Sequence, residues 1–256
     1  MDDFSHRIGA AIVTGASGGL GAAIARMMGA RGSNVSITYL RNEQAANDVV
    51  ASIEASGRTA YAKSVALEDA AAAKAFVEET ADRFGGIHTF VHAAGPHVNQ
   101  QYLSATDPAD FRRQLELEAA AYFNVVQPTV AHLRTTRGNI VAVTTAATSR
   151  YPVRDGLSSG TKGAIEQITK GLAAEEGKFG IRANIVGPGM LTDGMAERLI
   201  ASGELDERAL DAARRNIALR TFGRAADIAE AVCFLASDRA GFISGQKLDV
   251  DGGYGI

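Results

Sequence analysis

The sequence predicts an α/β fold, in which a parallel sheet is covered by helices on both faces. Short runs of β-branched residues alternate along the chain with longer alanine-rich runs. The predicted strands are apolar almost throughout, as expected for strands buried on both faces of a parallel sheet. The 256 residues are 46% hydrophobic, and no linker, low-complexity tract or repeat divides them. We therefore predict a single domain over residues 1–256.

Strands and helices are predicted in alternation along the chain. The predicted strands are residues 8–15, 34–40, 59–65, 87–95, 138–145, 181–189 and 246–253. The predicted helices are residues 19–32, 42–57, 69–85, 107–133, 158–178 and 225–237. The first two helices are expected to end at Gly32 and Gly57, because glycine readily adopts the backbone conformation that ends a helix. Pro128 is expected to kink its helix, because it removes one backbone hydrogen bond.

The segment 190–222 breaks this alternation. It is polar, has only a loose helical pattern, and follows the sequence GPGM directly. An insertion at the carboxyl end of a strand could act as a lid over a ligand. The alternative is a pair of surface helices without a functional role.

The bulk properties favour a soluble, cytoplasmic protein that binds a small molecule. The net charge of −3 gives no indication of a nucleic-acid partner. Residues 1–10 are acidic and lack the apolar core of a signal peptide. No run approaches the roughly 18 to 20 apolar residues that cross a membrane. The single cysteine, Cys233, excludes an internal disulfide, and its apolar neighbours predict that it is buried.

A glycine-rich stretch, IVTGASGGLGAAIA, joins the first strand to the first helix. Glycine lets the backbone turn tightly and approach a pyrophosphate, and the start of the helix offers free N–H groups to it. The spacing is G-x-x-x-G-x-G, which differs from the general dinucleotide pattern. The predicted cofactor-binding residues of this loop are Gly15, Ser17, Gly18, Gly19, Leu20 and Gly21.

These features resemble the short-chain dehydrogenase/reductase family, whose typical loop T-G-x-x-x-G-x-G matches residues 14–21. Residues 91–95, VHAAG, are similar to the family's strand-end NNAG, and residues 181–189 to its sixth strand with the Pro-Gly turn. Residues 220–253 resemble the C-terminal segment of β-ketoacyl-carrier-protein-reductase-like members. The resemblance implies a Rossmann-like, doubly wound sheet of seven strands, NAD(P)(H) as the cofactor, and a homotetramer or homodimer.

The residues after the second strand indicate which nicotinamide cofactor is used. An acidic residue there would bind the ribose hydroxyls of NAD(H) and repel a 2′-phosphate, but residues 38–40 contain none. Arg41 and Asn42 follow, and a guanidinium suits a phosphate. The resemblance therefore implies NADP(H) as the preferred cofactor, with NAD(H) as the second choice. The alternative is an Arg41 that is merely solvated.

Alignment with the family implies further cofactor contacts and two departures. The further contacts are Ala66, Leu67, Ala93, Ala94, Gly95, Lys162, Pro188, Gly189 and Leu191. Gly18 stands where many NADP(H)-using members have an arginine. Ala66 stands where an aspartate usually binds the adenine amino group. Cofactor binding is therefore expected to be weaker than is typical of the family.

The catalytic positions depart further from the family's pattern. Lys162 fills the place of the family's lysine, but Ser158 stands where its tyrosine belongs, four residues earlier. Thr145 replaces the catalytic serine, and Glu118 replaces the structural asparagine of the fourth helix. Carbonyl reduction needs a hydride and a proton, and a serine hydroxyl is less acidic and shorter than tyrosine. Thr145 could still orient a carbonyl oxygen, and Glu118 would partly neutralise Lys162 if it reached the ammonium group.

Other residues could supply the missing proton. Tyr151, in the loop before the catalytic helix, could fold back over the site, or it is an ordinary loop aromatic. His92 and His97 flank the end of the fourth strand, and histidine titrates near neutrality, although His92 could simply fill the sheet edge. His88 and His92 would lie roughly 13 Å apart on a strand, which is too far for a shared metal ion.

Three functions remain open from the sequence. The first is an NADP(H)-dependent oxidoreductase for a carbonyl or alcohol, such as a 3-oxoacyl thioester, with non-standard proton-transfer residues. Its substrate would enter beneath residues 190–222, and an apolar part is indicated by Met190, Leu191, Met195 and Leu199. The second is a catalytically weak or silent NADP(H)-binding scaffold, and the third is a lyase that uses Thr145, Glu118 or a histidine. The helices at 107–133 and 158–178 match those that family members pack together between subunits, which predicts a dimer or tetramer.

Overall fold

Seven parallel strands form one sheet in a computed structural model that describes residues 2–96, 98–193 and 207–256. The strands are β1 (Ala10–Thr14), β2 (Asn34–Tyr39), β3 (Ala60–Ser64), β4 (Ile87–His92), β5 (Asn139–Val143), β6 (Arg182–Pro188) and β7 (Lys247–Val250). Their order in the sheet is β3-β2-β1-β4-β5-β6-β7. The predicted seven-stranded, doubly wound parallel sheet is confirmed.

Helices connect the strands, as the alternating pattern predicts. They are α1 (Gly19–Ala30), α2 (Glu43–Ala55), α3 (Ala70–Phe84), α4 (Pro108–Leu115), α5 (Ala121–Thr136), α6 (Gly156–Glu176), α7 (Glu207–Arg215) and α8 (Ala225–Ala236). The glycines expected to follow α1 and α2, Gly32 and Gly57, have φ angles of +95° and +79°. These positive angles are costly for other residues, so glycine is required where the chain leaves each helix.

Apolar side chains cover both faces of the sheet. On one face, α1 packs against α8, and Ile24, Met28 and Val232 are fully buried between these helices and the strands. On the other face, Phe76 and Tyr122 belong to the core formed by α3, α5 and α6. Each fully buried side chain of this size stabilises the fold by about 1.5–3 kcal/mol. Cys233 is also buried, as predicted.

The order of the strands reverses between β1 and β4. β1 pairs with β2 on one side and with β4 on the other, and Thr14 is aligned with His92 where both strands end. In open parallel sheets, ligands bind outside the carboxyl ends of the strands at such a reversal. The fold therefore places a binding crevice beside Thr14, His92 and the glycine loop.

The helix predicted at 107–133 is present from Pro108 to Thr136, but it is not α-helical throughout. A π-helical segment, Glu116–Ala120, separates α4 from α5, and Pro128 lies inside α5. The extra residue in a π turn shifts the side chains that follow, and such turns occur often at functional sites. Here the segment directs Glu118 into the interior, where it is 1% exposed.

The segment predicted as a lid, residues 190–222, is described at its two ends. Leu191 forms a short bridge to Gly223, and Leu191 is buried. α7 lies within the second end. Met195 and Leu199, expected to contact the substrate, lie outside the described residues. Within the described parts of the chain, no helix has the length and apolar character to cross a membrane.

Candidate active site

The glycine loop between β1 and α1 turns tightly against the end of β4. Gly15 has a φ of +69°, and a Cβ atom on it would lie 2.6 Å from Cα of Ala94. A Cβ atom on Gly21 would lie 2.5 Å from the carbonyl oxygen of Gly15, so neither position accepts a larger residue. α1 begins after Gly18, which contributes no side-chain cap. Its first N–H groups are therefore left for an anion such as a pyrophosphate.

Thr14 ties the ends of β1 and β4 together. Its hydroxyl oxygen accepts the N–H groups of Ala93 (3.2 Å) and Ala94 (3.3 Å), so its own hydrogen is directed to Nδ1 of His92 at 3.0 Å. His92 is buried, and its ring lies edge-on to Tyr122 with the centroids 5.1 Å apart. Burial lowers the pKa of His92 to about 3, so the ring is neutral and braces the strand end instead of supplying a proton.

His88 is held by hydrogen bonds of its own and forms no metal site with His92 among the described residues. The ring nitrogens of His88 contact the hydroxyl groups of Ser33 (3.2 Å) and Thr89 (2.9 Å), and burial lowers the pKa of His88 to about 3. His97 lies outside the described residues. Across residues 2–96, 98–193 and 207–256, no three metal-ligating side chains cluster together.

Lys162 and Glu118 form an ion pair beneath the end of β4. The distance from Nζ of Lys162 to Oε1 of Glu118 is 2.5 Å, so the contact expected from the alignment is present. The Lys162 side chain is 16% exposed and that of Glu118 is 1% exposed. A Cβ atom on Gly95 would lie 3.0 Å from Oε1 and 3.5 Å from Nζ. The pair therefore lies directly against the strand end where the crevice begins.

Glu118 is confined by its surroundings. Its Oε1 lies 3.5 Å from Nε2 of Gln114, while its Oε2 is buried and has no hydrogen-bond partner among the described residues. Burial raises the pKa of Glu118, and the charge and hydrogen bond of Lys162 oppose that rise without cancelling it. The site thus combines a buried carboxyl group with an ammonium group whose positive charge is largely committed to it.

Thr145 and Ser158 lie between these two residues in the chain, Thr145 just after β5 and Ser158 on α6. Oγ1 of Thr145 accepts the N–H of Ala147 at 3.1 Å, which leaves its hydroxyl hydrogen to donate to a ligand. Ser158 is half-buried on the first turn of α6, one turn before Lys162. The alignment with the family predicts a tyrosine at this place on the helix, and a serine side chain is much shorter.

Tyr151 is not drawn into this cluster. Its side chain is 51% exposed, in the loop between β5 and α6. Within the described residues, its hydroxyl group makes no hydrogen bond with Lys162, Thr145 or Ser158. A fold-back of Tyr151 over the site therefore stays a prediction of the sequence alone.

Asp155 is an acidic residue of this cluster that the sequence reasoning missed. It immediately precedes α6, and its carboxylate does not cap the helix. Burial raises the pKa of Asp155 to about 6, against the opposing charge of Lys162. Asp155 stands seven residues before the lysine in the sequence, and this spacing is the signal that could have identified it.

The residues expected to select the cofactor lie between β2 and α2. Arg41 is exposed. The side chain of Asn42 caps α2 by accepting the N–H of Ala45 at 3.1 Å, so its amide oxygen is already engaged in the helix cap. Glu43 occupies the first turn of α2, and its charge adds to burial in raising the pKa of Tyr39. If Arg41 binds a phosphate, its attraction for the phosphate must therefore exceed the repulsion between the phosphate and the Glu43 carboxylate.

The remaining predicted cofactor residues border the crevice at other strand ends. Ala66 and Leu67 follow β3, and the carbonyl of Leu67 accepts a hydrogen bond from Asn124 at 3.0 Å. A Cβ atom on Gly189 would lie 2.5 Å from Cα of Asp251, which makes glycine necessary after Pro188. The structure brings these residues to one edge of the sheet, together with the glycine loop.

Comparison with known proteins places this arrangement in a family. The profile described as enoyl-(acyl carrier protein) reductase matches residues 15–255. The chain is 32% identical over 244 residues to the 3-oxoacyl-[acyl-carrier-protein] reductase FabG of Staphylococcus aureus, covering 95% of this chain and 96% of that protein. It is also 32% identical over 257 residues to versicolorin reductase 1 of Aspergillus parasiticus, covering 97% and 98%.

Solved structures agree with these relatives. A short-chain dehydrogenase from Burkholderia cenocepacia in complex with NADP is 33% identical with a TM-score of 0.89, covering 99% of this chain and 100% of that one. A dehydrogenase/reductase from Sinorhizobium meliloti is 32% identical with a TM-score of 0.88, covering 99% and 97%. The fold and the site thus define an oxidoreductase that uses a dinucleotide cofactor. More narrowly, the chain belongs to the short-chain dehydrogenase/reductase family.

Proposed function

We propose that this protein is an NADP(H)-dependent reductase of a carbonyl compound, in which residues other than the family's tyrosine deliver the proton. The observation that carries the proposal is the position of Lys162. Its ammonium group lies at the end of β4 against Gly95, across the crevice from the glycine loop. There it can hold the ribose hydroxyl groups of a dinucleotide whose pyrophosphate binds the start of α1.

NADP(H) is the cofactor that these residues fit best. The exposed guanidinium of Arg41 is available to a 2′-phosphate, and residues 38–40 include no acid that would repel it. The 33% identical Burkholderia relative was solved in complex with NADP, which supports the same choice here. NAD(H) is the weaker ligand. The absence of an aspartate at Ala66 lowers the affinity for both cofactors, and the absence of an arginine at Gly18 lowers the affinity for NADP(H).

The chain's own residues divide the work of carbonyl reduction. When bound, the reduced nicotinamide supplies a hydride. The hydroxyl of Thr145 donates a hydrogen bond to the carbonyl oxygen of the substrate and orients it. Ser158 is too weak an acid to give up a proton to the developing alkoxide. Glu118 holds the ammonium of Lys162 in position and offsets its charge.

The substrate is a carbonyl compound, or the matching alcohol, with an apolar part. The similarity to the 3-oxoacyl-[acyl-carrier-protein] reductase of S. aureus supports a 3-oxoacyl thioester. A cavity of about 180 Å³ next to α4 has a largely polar lining, which consists of Val98, Asn99, Gln101, Asp110, Arg113, Gln114 and Leu157. It gives room for a small part of the substrate beside the site. We place this activity in the cytoplasm, in a homodimer or homotetramer of single-domain subunits with residues 190–222 as the lid.

One observation favours a second function. The direct ion pair between Lys162 and Glu118 removes much of the positive charge on which family members rely. A catalytically silent NADP(H)-binding protein, acting as a partner of an active homologue, fits that observation.

Two measurements on the purified chain separate the two functions. NADPH binding is followed by the change in nicotinamide fluorescence, and turnover by the loss of nicotinamide absorbance with a β-ketoacyl thioester or a quinone. The reductase proposal expects both signals, and Lys162→Met should weaken both. Binding without turnover on any carbonyl substrate would favour the silent protein, and no binding of NADPH would refute both.

A further inference from the structure

The turn that follows Thr145 is tied to α6 by hydroxyl groups. Thr145 precedes a short 3₁₀ turn, Ala146–Thr148. Oγ1 of Thr148 lies 3.1 Å from the carbonyl oxygen of Thr145 and 2.7 Å from Oε1 of Glu166 on α6, two acceptors that its hydroxyl hydrogen can share. The same Oε1 accepts the hydroxyl of Thr144 at 2.8 Å. Thr145 is therefore held between two hydroxyl groups that contact one carboxylate.

A lysine from β7 holds this carboxylate and the turn together. Nζ of Lys247 lies 3.2 Å from Oε1 of Glu166, and it donates to the hydroxyl of Thr148 and, at 3.0 Å, to that of Ser149. Asp249 completes the network, because its Oδ1 lies 3.1 Å from Nζ and its Oδ2 accepts the hydroxyl of Ser149 at 2.6 Å. One ammonium group thus joins α6, β7 and the turn after β5.

A glycine in β6 gives these side chains the room to reach the turn. β6 lies between β5 and β7 in the sheet, and Gly187 is aligned with Asp249. Lys247 and Asp249 are two residues apart, so they lie on one face of β7. A Cβ atom on Gly187 would overlap Oδ1 of Asp249 and lie 2.8 Å from Cε of Lys247. It would also lie 3.2 Å from the carbonyl carbon of Thr145, so the network lies directly beneath that residue.

The burial of the network indicates that its value is geometric. The side chains of Lys247 and Glu166 are only 12% and 8% exposed. Removing two charges from water is costly, and well-packed apolar side chains would often serve stability equally well. A buried polar network whose members are hydrogen-bonded instead makes its surroundings rigid. The part of the site that this network makes rigid is the backbone on both sides of Thr145.

We propose that Lys247 is a positioning residue, which acts through Thr148 to hold Thr145 where its hydroxyl can orient the substrate carbonyl. The inference rests on the proposed reductase function. The direction of the Thr145 hydroxyl depends on the backbone of the turn, because its Oγ1 accepts the N–H of Ala147 at 3.1 Å. A hydrogen bond weakens steeply when donor and acceptor are misaligned. In this role Lys247 contacts neither the substrate nor the cofactor.

The test is a double-variant cycle, measured as NADPH-dependent reduction of a β-ketoacyl thioester by the full chain. Thr145→Val should lower kcat about 10²-fold, because the donor to the carbonyl oxygen is lost. Lys247→Met should lower kcat about tenfold, because the donor is misplaced, and should leave the dissociation constant for NADPH unchanged. The double variant should be no slower than Thr145→Val alone. A merely structural role would give losses that multiply, to about 10³-fold.

The matched control is Lys63→Met, which should keep the wild-type kcat. Lys63 also extends from an edge strand, β3, and it bonds Glu79 on the adjoining helix α3 at 2.5 Å. Two conservative variants of the network should retain most of the wild-type rate: Lys247→Arg, which keeps the charge, and Thr148→Ser, which keeps the hydroxyl.

Losses that multiply in the cycle, or a wild-type kcat in Lys247→Met, would overturn the positioning role and leave the reductase function intact. A wild-type enzyme that binds NADPH but reduces no carbonyl would overturn both. Circular dichroism shows whether Lys247→Met is folded. If it is not, Thr148→Val, which keeps the shape of the side chain and removes its hydroxyl, takes the place of Lys247→Met in the cycle, with the same expected result.

Discussion

Restoring a tyrosine at position 158 should create a proton donor, and the ion pair at Lys162 sets how well it works. The perturbation is Ser158→Tyr, made alone and together with Glu118→Asn. The experiment is best done near pH 8, where a tyrosine still carries its proton.

The expected magnitude follows from the charges around Lys162. A tyrosine hydroxyl one helical turn away would lie about 5 Å from Nζ, where the attraction in an effective dielectric of about 20 is about 3.3 kcal/mol. Glu118, bonded to Nζ at 2.5 Å, would lie about 7 Å from the same hydroxyl and remove about 2.4 kcal/mol of it. Because proton-transfer rates follow only part of a pKa change, Glu118→Asn should raise the Ser158→Tyr rate about tenfold.

The assay is the initial rate of NADPH oxidation with a β-ketoacyl thioester or a quinone. Ser158→Tyr should exceed the wild type at this pH, the double variant should exceed Ser158→Tyr, and Ser158→Ala should change little. Ser158→Phe is the matched control, because it fills the same space without a hydroxyl. An equal gain from Ser158→Phe, or no further gain from Glu118→Asn, would refute the electrostatic reasoning. A loss of robust wild-type activity in Ser158→Ala would make the serine itself catalytic.

Three further predictions test the cofactor, the ion pair and the assembly. NADPH should bind more tightly than NADH, and Arg41→Ala should reduce the ratio of their dissociation constants about tenfold; equal constants in the wild type would contradict this. Lys162→Met should lower the free energy of unfolding by about 3 kcal/mol in urea titrations. Because burial raises the pKa of Glu118, the stability of that variant is retained at low pH and lost as the pH rises through that pKa. The chain should have the mass of a dimer or tetramer in light scattering, and Phe123→Glu, on the exposed face of α5, should shift it toward the monomer.

The fold could be predicted from the sequence because each strand and helix carries its own local signal. The apolar β-branched runs and the glycines at 32 and 57 place the elements within a few residues of their observed ends. The π segment at 116–120 could not be predicted in this way. The extra residue in a π turn shifts the side chains that follow it, but no residue type in the sequence ELEAA marks where such a turn falls.

The site was only partly predictable for a related reason. The glycine loop could be recognised because backbone geometry alone restricts Gly15 and Gly21 to glycine. The proton-transfer residues depend on burial, which no short motif records. A histidine titrates near neutrality in water, but burial inside the sheet lowers the pKa of His92 and keeps its ring neutral. Asp155 has an ordinary helix-start sequence, yet burial raises its pKa to about 6.

The burial of Glu118 indicates which role it can have beside Lys162. Glu118 is 1% exposed and bonded directly to the ammonium, so a proton lost from it would be replaced slowly and its carboxylate is already engaged. A proton donor must be refilled by water after each turnover, whereas a positioning group must not move. By this criterion we expect Glu118 to hold the lysine in position and not to donate the proton.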